Sequence, residues 1–234
     1  MVQRWMFEFV LALVVFLLAH IIPPIPSVRG FLVGLAGERF YLLSYSVLSL
    51  ALMVWVLDAA LHAPYLGLWP PEPWQALVPL VVMPVAAWFT IAGLAEPNPL
   101  SISVRSSAAG VMGPIAGITR HPVLWGFLLW AVSHIPPNGD LVSVILFGFV
   151  GCLAGAGFFI LDRRMRSRLG ADGWEKLARA TSIVPFVAVI AGRAQIHSRQ
   201  PLLLAACAAA AFYAWFVLQG HQLLIGADPL MGLR

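Results

Sequence analysis

The side chains best suited to chemistry in this sequence are ionisable groups, mostly histidines, that lie within or at the ends of long apolar runs. Such groups are costly to bury, so they mark functional sites by default. They are His20, Asp58, His62, His121, His134 and His221. A neutral imidazole among apolar and aromatic side chains can bind a haem iron as an axial ligand. The other interpretation is a histidine that joins helices through a hydrogen bond.

The spacing of these residues limits which of them can act together. His121 and His134 are 13 residues apart, which is about 20 Å along a continuous helix and nearly its opposite face. They cannot bind one metal ion from such a helix. Trp130 and His134 are one turn apart and share a face. Asp58 and His62 also share a face, so that the carboxylate can orient the imidazole or pair with another nearby donor.

Several enzyme classes are disfavoured by what the sequence lacks. It contains no nucleophile elbow, no glycine-rich phosphate loop and no paired carboxylates. Only Glu8, Asp58 and Asp140 lie within the apolar runs, so hydrolysis and phosphoryl transfer lack their usual groups. The two cysteines, Cys152 and Cys207, lie inside apolar runs, which disfavours a disulfide framework and a zinc site.

The elements that must position these histidines are transmembrane helices. Of the 234 residues, 61% are hydrophobic and only 10% are charged, whereas a soluble domain has about 25% charged residues. Six apolar runs are long enough to cross a bilayer, and prolines lie in the gaps between them. The runs are 6–22, 40–61, 74–95, 122–136, 139–161 and 201–225, of which the fourth is the shortest. The sequence therefore predicts an all-α, polytopic transmembrane helical bundle with about six spans.

The basic residues alternate between the two sides of the predicted spans. The gaps after the first, third and fifth runs hold all the Lys and Arg residues except Arg4 and Arg234. The positive-inside rule then places these three gaps in the cytoplasm and both termini outside. Because topology explains the basic charge, nucleic acid is not an expected partner. An α-helical bundle indicates an inner (cytoplasmic) membrane.

The segment 162–199 is the only sizeable polar stretch, and it contains most of the basic residues. One interpretation is a solvated cytoplasmic loop whose charge fixes the topology. The other is an amphipathic helix over residues 162–176 that lies on the anionic surface of the inner leaflet.

Separate motifs along residues 10–195 make this sequence resemble the NnrU family. They are His20, Arg29, Gly37-Glu38-Arg39, Ile118-Thr119-Arg120-His121-Pro122, Trp130, His134, Asn138-Gly139-Asp140, Asp162-Arg163-Arg164, Gly170, Thr181-Ser182-Ile183-Val184-Pro185-Phe186 and Gly192-Arg193. On this resemblance, residues 1–195 form an NnrU-like transmembrane domain with the basic loop 162–199. Residues 200–234 form a C-terminal transmembrane helix and a short tail.

The resemblance implies a cofactor and two kinds of role. Bacterial members are membrane proteins associated with denitrification, in particular with the production of nitrite and nitric oxide reductases. Plant and algal relatives are 15-cis-zeta-carotene isomerases, which use haem b to isomerise a double bond without net redox change. The implied partners are therefore the lipid bilayer, a hydrophobic polyene substrate and the nitrogen-oxide reductase machinery.

The resemblance also implies roles for particular residues. In the isomerases, the histidines that match His20 and His134 are the expected axial ligands, so this pair is expected to bind iron and to be catalytic. A cysteine put forward there as an alternative ligand corresponds to Ala131 in this sequence.

The remaining expected site residues would bind the cofactor. Arg29, Arg120 and Asp140 would anchor haem propionates or close the loops around them, and both arginines fall on the cytoplasmic side. Trp130, which shares a face with His134, is expected beside the porphyrin.

The predicted topology leaves a second ligand pair open. His20 would lie near the cytoplasmic end of the first span, and His134 toward the outer end of the fourth. Axial imidazoles bind iron at about 2 Å, so the two ligands must share a depth. Either the fourth span is shorter, broken or re-entrant, or the pair is His20 with His121.

Two other functions remain open on the sequence. The first is a non-enzymatic haem carrier, sensor or assembly factor that supports nitrogen-oxide reductases. The second is an S-adenosylmethionine-dependent methyltransferase, because Arg120-His121-Pro122 also resembles a motif of such membrane enzymes. Those enzymes carry paired glutamates in a later cytoplasmic segment, whereas the segment 162–199 has only Glu175.

Overall fold

The computed structural model describes residues 2–105 and 110–231; Arg234, counted above as an outer basic residue, lies outside them. The described residues form helices and no β-strand, with one isolated bridge between Gly67 and Asp140. The helices are α1 (Val2–Ile21), α2 (Pro26–Ala36), α3 (Glu38–His62), α4 (Pro73–Ala95), α5 (Pro114–Ile118), α6 (Pro122–His134), α7 (Leu141–Ala178), α8 (Val187–Ile190), α9 (Gln200–Trp215) and α10 (His221–Ile225), with a π-helical segment, Phe216–Gly220, between the last two.

The prediction of an all-α transmembrane bundle is confirmed. Five helical stretches are long and apolar enough to cross a membrane, namely α1, α3, α4, α7 and the stretch from α9 through α10. The fourth apolar run corresponds to α6, a shorter apolar helix of 13 residues. The apolar runs did not indicate the short helices α2, α5 and α8.

Helix α7 is longer than the apolar run that predicts it. It continues past residue 161 to Ala178, because the arginines and leucine that follow are good helix formers and no proline interrupts them. Only Gly170 departs from helical geometry, with a φ of 74° that favours glycine. The segment 162–199 is therefore helical up to Ala178 and is not a loop throughout, so the helix that the second interpretation predicts over residues 162–176 is present. A loss of hydropathy ends a lipid-facing surface and not a helix.

The chain divides into two compact units. The first contains Met1–Leu68 and Asp140–Ser143, and the second contains Trp69–Gly139 and Val144–Arg234. In the first unit, α1 packs along α3. The buried side chains of this contact are Phe9, Ala12, Phe16, Leu52, Val56 and Ala59.

In the second unit, α4 packs against both α6 and α9. Glycines allow the approach of α6: a Cβ atom on Gly126 would lie 2.8 Å from the carbonyl oxygen of Ala86, and one on Gly93 would lie 2.8 Å from the ring of Pro122. Residues late in α4 thus contact residues early in α6, so the two helices are antiparallel.

Two hydrogen bonds show that α9 is also antiparallel to α4. Trp88 Nε1 donates to the carbonyl oxygen of Leu202 at 3.1 Å, and the hydroxyl of Tyr213 donates to that of Leu80 at 2.7 Å. Helices α6 and α9 therefore run in the same direction. The buried core of this unit contains Phe89, Ala92, Ile115, Ile118, Leu202 and Ala205.

Candidate functional site

His134 ends α6 and is held by the turn before it. Its Nδ1 atom donates a hydrogen bond to the carbonyl oxygen of Trp130 at 2.7 Å. Because a carbonyl oxygen only accepts, Nδ1 carries the proton, and Nε2 of the neutral imidazole carries the lone pair. The rings of Trp130 and Phe147 have their centroids 5.8 and 5.2 Å from the imidazole. The half-buried His134 thus presents a nitrogen with an available lone pair beside two aromatic rings.

His20 has the same arrangement in the first unit, near the end of α1. Its Nδ1 atom donates to the carbonyl oxygen of Phe16 at 2.7 Å, which leaves the lone pair on Nε2. The imidazole stacks on the ring of Phe16 at 4.1 Å and meets Tyr45 edge-on at 5.8 Å. Both histidines expected as axial ligands are therefore oriented by a backbone carbonyl one helical turn earlier.

His121 is fully buried, and both of its ring nitrogens have partners. Nδ1 lies 2.9 Å from the hydroxyl of Ser101, and Nε2 lies 3.0 Å from a carboxylate oxygen of Asp162. Nε2 donates to the carboxylate, and Nδ1 shares a hydrogen bond with the hydroxyl. No lone pair of this imidazole is free to bind a metal.

Arg120 lies beside His121 and is also almost fully buried. Its guanidinium donates to the Asp162 carboxylate, to the hydroxyl of Thr181 at 2.9 Å and to the carbonyl oxygen of Ala178 at 3.3 Å. It also lies over the ring of Trp174, 5.1 Å from the centroid. Its hydrogen-bond donors therefore already have partners within the protein. We refer to these buried polar residues as the polar cluster: Ser101, Arg120, His121, Asp162 and Thr181.

Further hydrogen bonds join the segment that contains Arg120 and His121 to the segment that contains Thr181. The amide of Arg120 donates to the carbonyl oxygen of Ser182 at 2.7 Å. Thr119 and Trp125 donate from their side chains to the carbonyl oxygen of Ile183 at 2.7 and 2.8 Å. Two motifs about 60 residues apart in the chain thus meet in one buried site.

Sequence reasoning missed the role of Asp162, because this residue follows an apolar run and precedes four nearby arginines. It looked like part of a solvated basic segment. The only signal was its place in the Asp162-Arg163-Arg164 motif. Its partners in the fold, Arg120 and His121, are 42 and 41 residues away in the chain.

The other two residues expected to anchor the propionates or close the loops lie in the first unit. Arg29 forms an ion pair with Glu38 at 2.7 Å and lies 5.7 Å from the ring centroid of Tyr41, and its side chain remains partly exposed. Asp140 is buried, and its carboxylate accepts from the amide of Ser143 at 3.0 Å. Asp140 therefore acts as the N-terminal cap of α7.

Two further histidines donate Nδ1 to a backbone carbonyl. His62 donates to Asp58 at 2.8 Å, and the Asp58 carboxylate lies 3.5 Å away, so the predicted shared face is confirmed. No family motif was apparent around His221 in the sequence. Its Nδ1 atom donates to the carbonyl oxygen of Ala227 at 2.7 Å, and its ring meets that of Phe216 edge-on at 5.5 Å.

Glu96, directly after α4, is a buried carboxyl outside the polar cluster. One oxygen accepts from the amide of Ile115 at 2.7 Å. The other oxygen has no hydrogen-bond partner within the described part of the chain. Burial raises the pKa of this carboxyl, and the hydrogen bond from Ile115 opposes the rise. Glu96 therefore connects the end of α4 to α5.

The donor set can be compared with the needs of a haem and of a bare metal ion. A porphyrin supplies four nitrogens, so its iron needs only one or two protein ligands. His20 and His134 each present a free nitrogen and have aromatic neighbours. Among residues 2–105 and 110–231, no group of three or more His, Cys, Asp or Glu side chains could hold a metal ion. These residues fit a haem better than a bare ion.

Comparisons with known proteins agree on one family. The family described as "NnrU protein" matches residues 8–229. The chain is 37% identical over 84 residues to "15-cis-zeta-carotene isomerase, chloroplastic" of Zea mays, which is 35% of this chain and 22% of that protein. It is 35% identical over 81 residues to the Arabidopsis thaliana protein of the same name, which is 34% of this chain and 21% of that protein.

The extent of these matches differs. The segment shared with the two plant proteins spans about a fifth of their length. No solved structure matches the chain. The family match, in contrast, covers nearly all of the sequence, from α1 to the residues after α10. This integral membrane protein therefore belongs to the NnrU family.

Proposed function

We propose that this protein binds haem b in the inner membrane of a bacterium and isomerises a cis double bond of a hydrophobic polyene. The observation that carries the proposal is His134, whose Nε2 atom is free beside two aromatic rings. Membership of the NnrU family and similarity to two proteins named as isomerases support the same class of reaction.

The iron ligands that we propose are those that the family resemblance implies, His134 and His20, which belong to different compact units. Each imidazole is oriented by a backbone carbonyl and keeps Nε2 available. The alternative pair of His20 with His121 is less favourable, because both nitrogens of His121 already form hydrogen bonds. Breaking the bond to Asp162 would leave a buried carboxylate with one partner fewer, which is costly.

The surroundings of His134 suit this role. The carbonyl of Trp130 fixes the imidazole and makes Nε2 a stronger electron donor. The rings of Trp130 and Phe147 meet edge-on at 5.4 Å and give the imidazole apolar neighbours. When bound, haem b supplies a Lewis-acid or one-electron centre for rearranging a double bond.

The groups that would hold the haem carboxylates differ in availability. Arg29 is partly exposed and has one acidic partner. Arg120 is almost fully buried and donates to three groups of the protein. We therefore propose that Arg29 binds a haem propionate and that Arg120 stabilises the polar cluster. A polyene would reach the site from the bilayer.

A second candidate function is a haem carrier, sensor or assembly factor that supports the production of nitrite and nitric oxide reductases. Ala131 favours it, because this buried residue stands where the isomerases have a cysteine put forward as an iron ligand. Any isomerisation that needs a thiolate at this position would be absent from this protein.

The test is an absorption spectrum of the full chain, purified in detergent from haem-supplemented cells. We expect a Soret band that is lost in His134→Ala and kept in His62→Ala. His62 is a suitable control because it has the same backbone hydrogen bond but an exposed ring. A colourless wild-type protein from these cells would refute haem binding.

Incubation of the purified protein with a cis-polyene separates the candidate functions. Conversion to the trans isomer supports the isomerase. A red protein that converts none, but transfers haem to an added apo-haemoprotein, supports the carrier. A colourless protein that binds S-adenosylmethionine would favour the methyltransferase instead.

A further inference from the structure

Three arginines directly follow the apolar part of α7 and carry an uncompensated positive charge. They are Arg163, Arg164 and Arg168, which we refer to as the arginine patch. All three are exposed, and none of their side chains forms an ion pair or a hydrogen bond with a described residue. The arginine patch therefore offers three cationic groups whose hydrogen-bond donors are not used by the described part of the protein.

The inward contacts of α7 direct the arginine patch away from the protein. Asp162 accepts hydrogen bonds within the polar cluster, and Met165 is buried. Arg166 lies over the ring of Trp174, 5.6 Å from its centroid, so this fourth arginine has an aromatic partner and is not part of the patch. Because an α-helix turns once in about 3.6 residues, the arginine patch occupies the face of α7 that these contacts leave open.

The arginine patch continues a face of α7 that is suited to lipid. Phe159 is 70% exposed and Ile160 is 61% exposed, and they precede Arg163 and Arg164 by four residues. Residues four apart lie above one another on a helix, about 6 Å apart along its axis. Where the apolar side chains face acyl chains, the arginines one turn later therefore lie at the depth of the phospholipid headgroups of that leaflet.

The charges of the arginine patch repel one another unless an anion lies between them. Arg164 and Arg168 are four residues apart on α7, and like charges at this spacing destabilise a helix. Arg163 adds a third charge beside them. A guanidinium group is planar and donates two parallel hydrogen bonds to a phosphate. A phosphate group is thus the anion that both the charge and the donor geometry favour.

We propose that the arginine patch binds the phosphate group of an anionic phospholipid in the adjacent leaflet. A zwitterionic phospholipid carries an ammonium group that compensates its phosphate, so the net charge of the patch favours an anionic headgroup. The exposed apolar residues one turn earlier would contact the acyl chains of the same lipid. Because this binding needs no haem, the proposal stands apart from the proposed function.

The test follows thermal unfolding of the full chain in a neutral detergent while phospholipid is added. Phosphatidylglycerol should raise the midpoint temperature of the wild type, and phosphatidylcholine with the same acyl chains should have little effect. A basic residue near an anionic surface strengthens binding by about fivefold. Arg164→Gln should therefore bind phosphatidylglycerol about fivefold more weakly. Replacing all three arginines of the patch by glutamine should weaken binding by about 100-fold.

Arg179→Gln is the matched control for Arg164→Gln. It removes another exposed arginine of the polar segment 162–199, but one that already pairs with Glu175 at 2.8 Å. This variant should keep the wild-type affinity for phosphatidylglycerol. Inorganic phosphate, added in place of the lipid at the same concentration, should leave the midpoint temperature of the wild type unchanged.

The other outcomes would overturn the proposal. Wild-type affinity in the triple variant would remove the arginine patch from lipid binding, and an equal response to phosphatidylcholine would remove the role of charge. Equal losses in Arg164→Gln and Arg179→Gln would indicate a general attraction without a site. A rise with inorganic phosphate as large as that with the lipid would indicate a site for a free anion. If the triple variant does not fold, the comparison of the two single variants decides.

Discussion

At the scale of single residues, neighbours in the sequence have different roles. Arg120 and His121 were expected near the haem, but their polar atoms are engaged within the polar cluster. His134, thirteen residues later, keeps one nitrogen free. The type of residue is the same for the two histidines, and only their hydrogen-bond partners distinguish a structural imidazole from an available one.

Asp162 is the residue on which the polar cluster depends, because its carboxylate accepts from both Arg120 and His121. In Asp162→Asn the buried guanidinium would lose its only carboxylate partner among the described residues. We expect a loss of about 3–5 kcal/mol in the free energy of unfolding, as for other broken buried ion pairs. Denaturant unfolding of the wild type and of the variant in detergent measures this loss.

The matched control is Glu175→Gln, which removes an exposed ion pair with Arg179. Exposed pairs contribute little to stability, so we expect no measurable change. Equal effects of the two substitutions would contradict the role of the polar cluster as a buried structural unit.

At the scale of helices, hydropathy located the spans but not their ends. The fifth apolar run ends at residue 161, whereas α7 continues to Ala178 with a break at Gly170. Apolar composition reports contact with lipid, while the helix itself ends where backbone geometry changes. The π-helical segment before His221 lies inside the sixth apolar run, so hydropathy did not distinguish it from the α-helices on either side.

The packing of α4 against α6 depends on Gly126. An added Cβ atom would lie 2.0 Å from the hydroxyl of Thr90 and 2.8 Å from the carbonyl oxygen of Ala86. Because backbone cannot move aside cheaply, we expect Gly126→Ala to lower the free energy of unfolding by about 1–3 kcal/mol. The same detergent unfolding assay checks this value.

Gly148→Ala serves as the control for Gly126→Ala. Gly148 lies inside α7, and a Cβ atom added there would meet no atom of the described residues within 4 Å. Alanine at this position should therefore be neutral or slightly stabilising. A Gly126→Ala protein as stable as Gly148→Ala would mean that α4 and α6 do not pack closely in the membrane.

At the scale of the whole molecule, the exposed surface is suited to lipid. Large apolar side chains are widely exposed on the spans, for example Val81 at 71%, Phe159 at 70% and Leu203 at 64%. Water would make such a surface a cause of aggregation, whereas a bilayer solvates it.

The proposed orientation of the spans can be tested by labelling. In a chain with Cys152 and Cys207 replaced by serine, we place one cysteine at Tyr65 or at Ser198, which are both exposed. Positive-inside reasoning puts Tyr65 outside and Ser198 in the cytoplasm. A membrane-impermeant maleimide should therefore label Tyr65→Cys in intact cells and Ser198→Cys only after lysis. The reverse pattern would invert the topology.

The sequence by itself determined the class of molecule, the six apolar stretches and the family, because hydropathy and local motifs are properties of neighbouring residues. It also identified His20 and His134 as residues worth testing. Only the tertiary structure decided that Asp162 joins Arg120 and His121. Those relations depend on helices that are distant in the chain and adjacent in space, and no local pattern of residue types records which helices pack together.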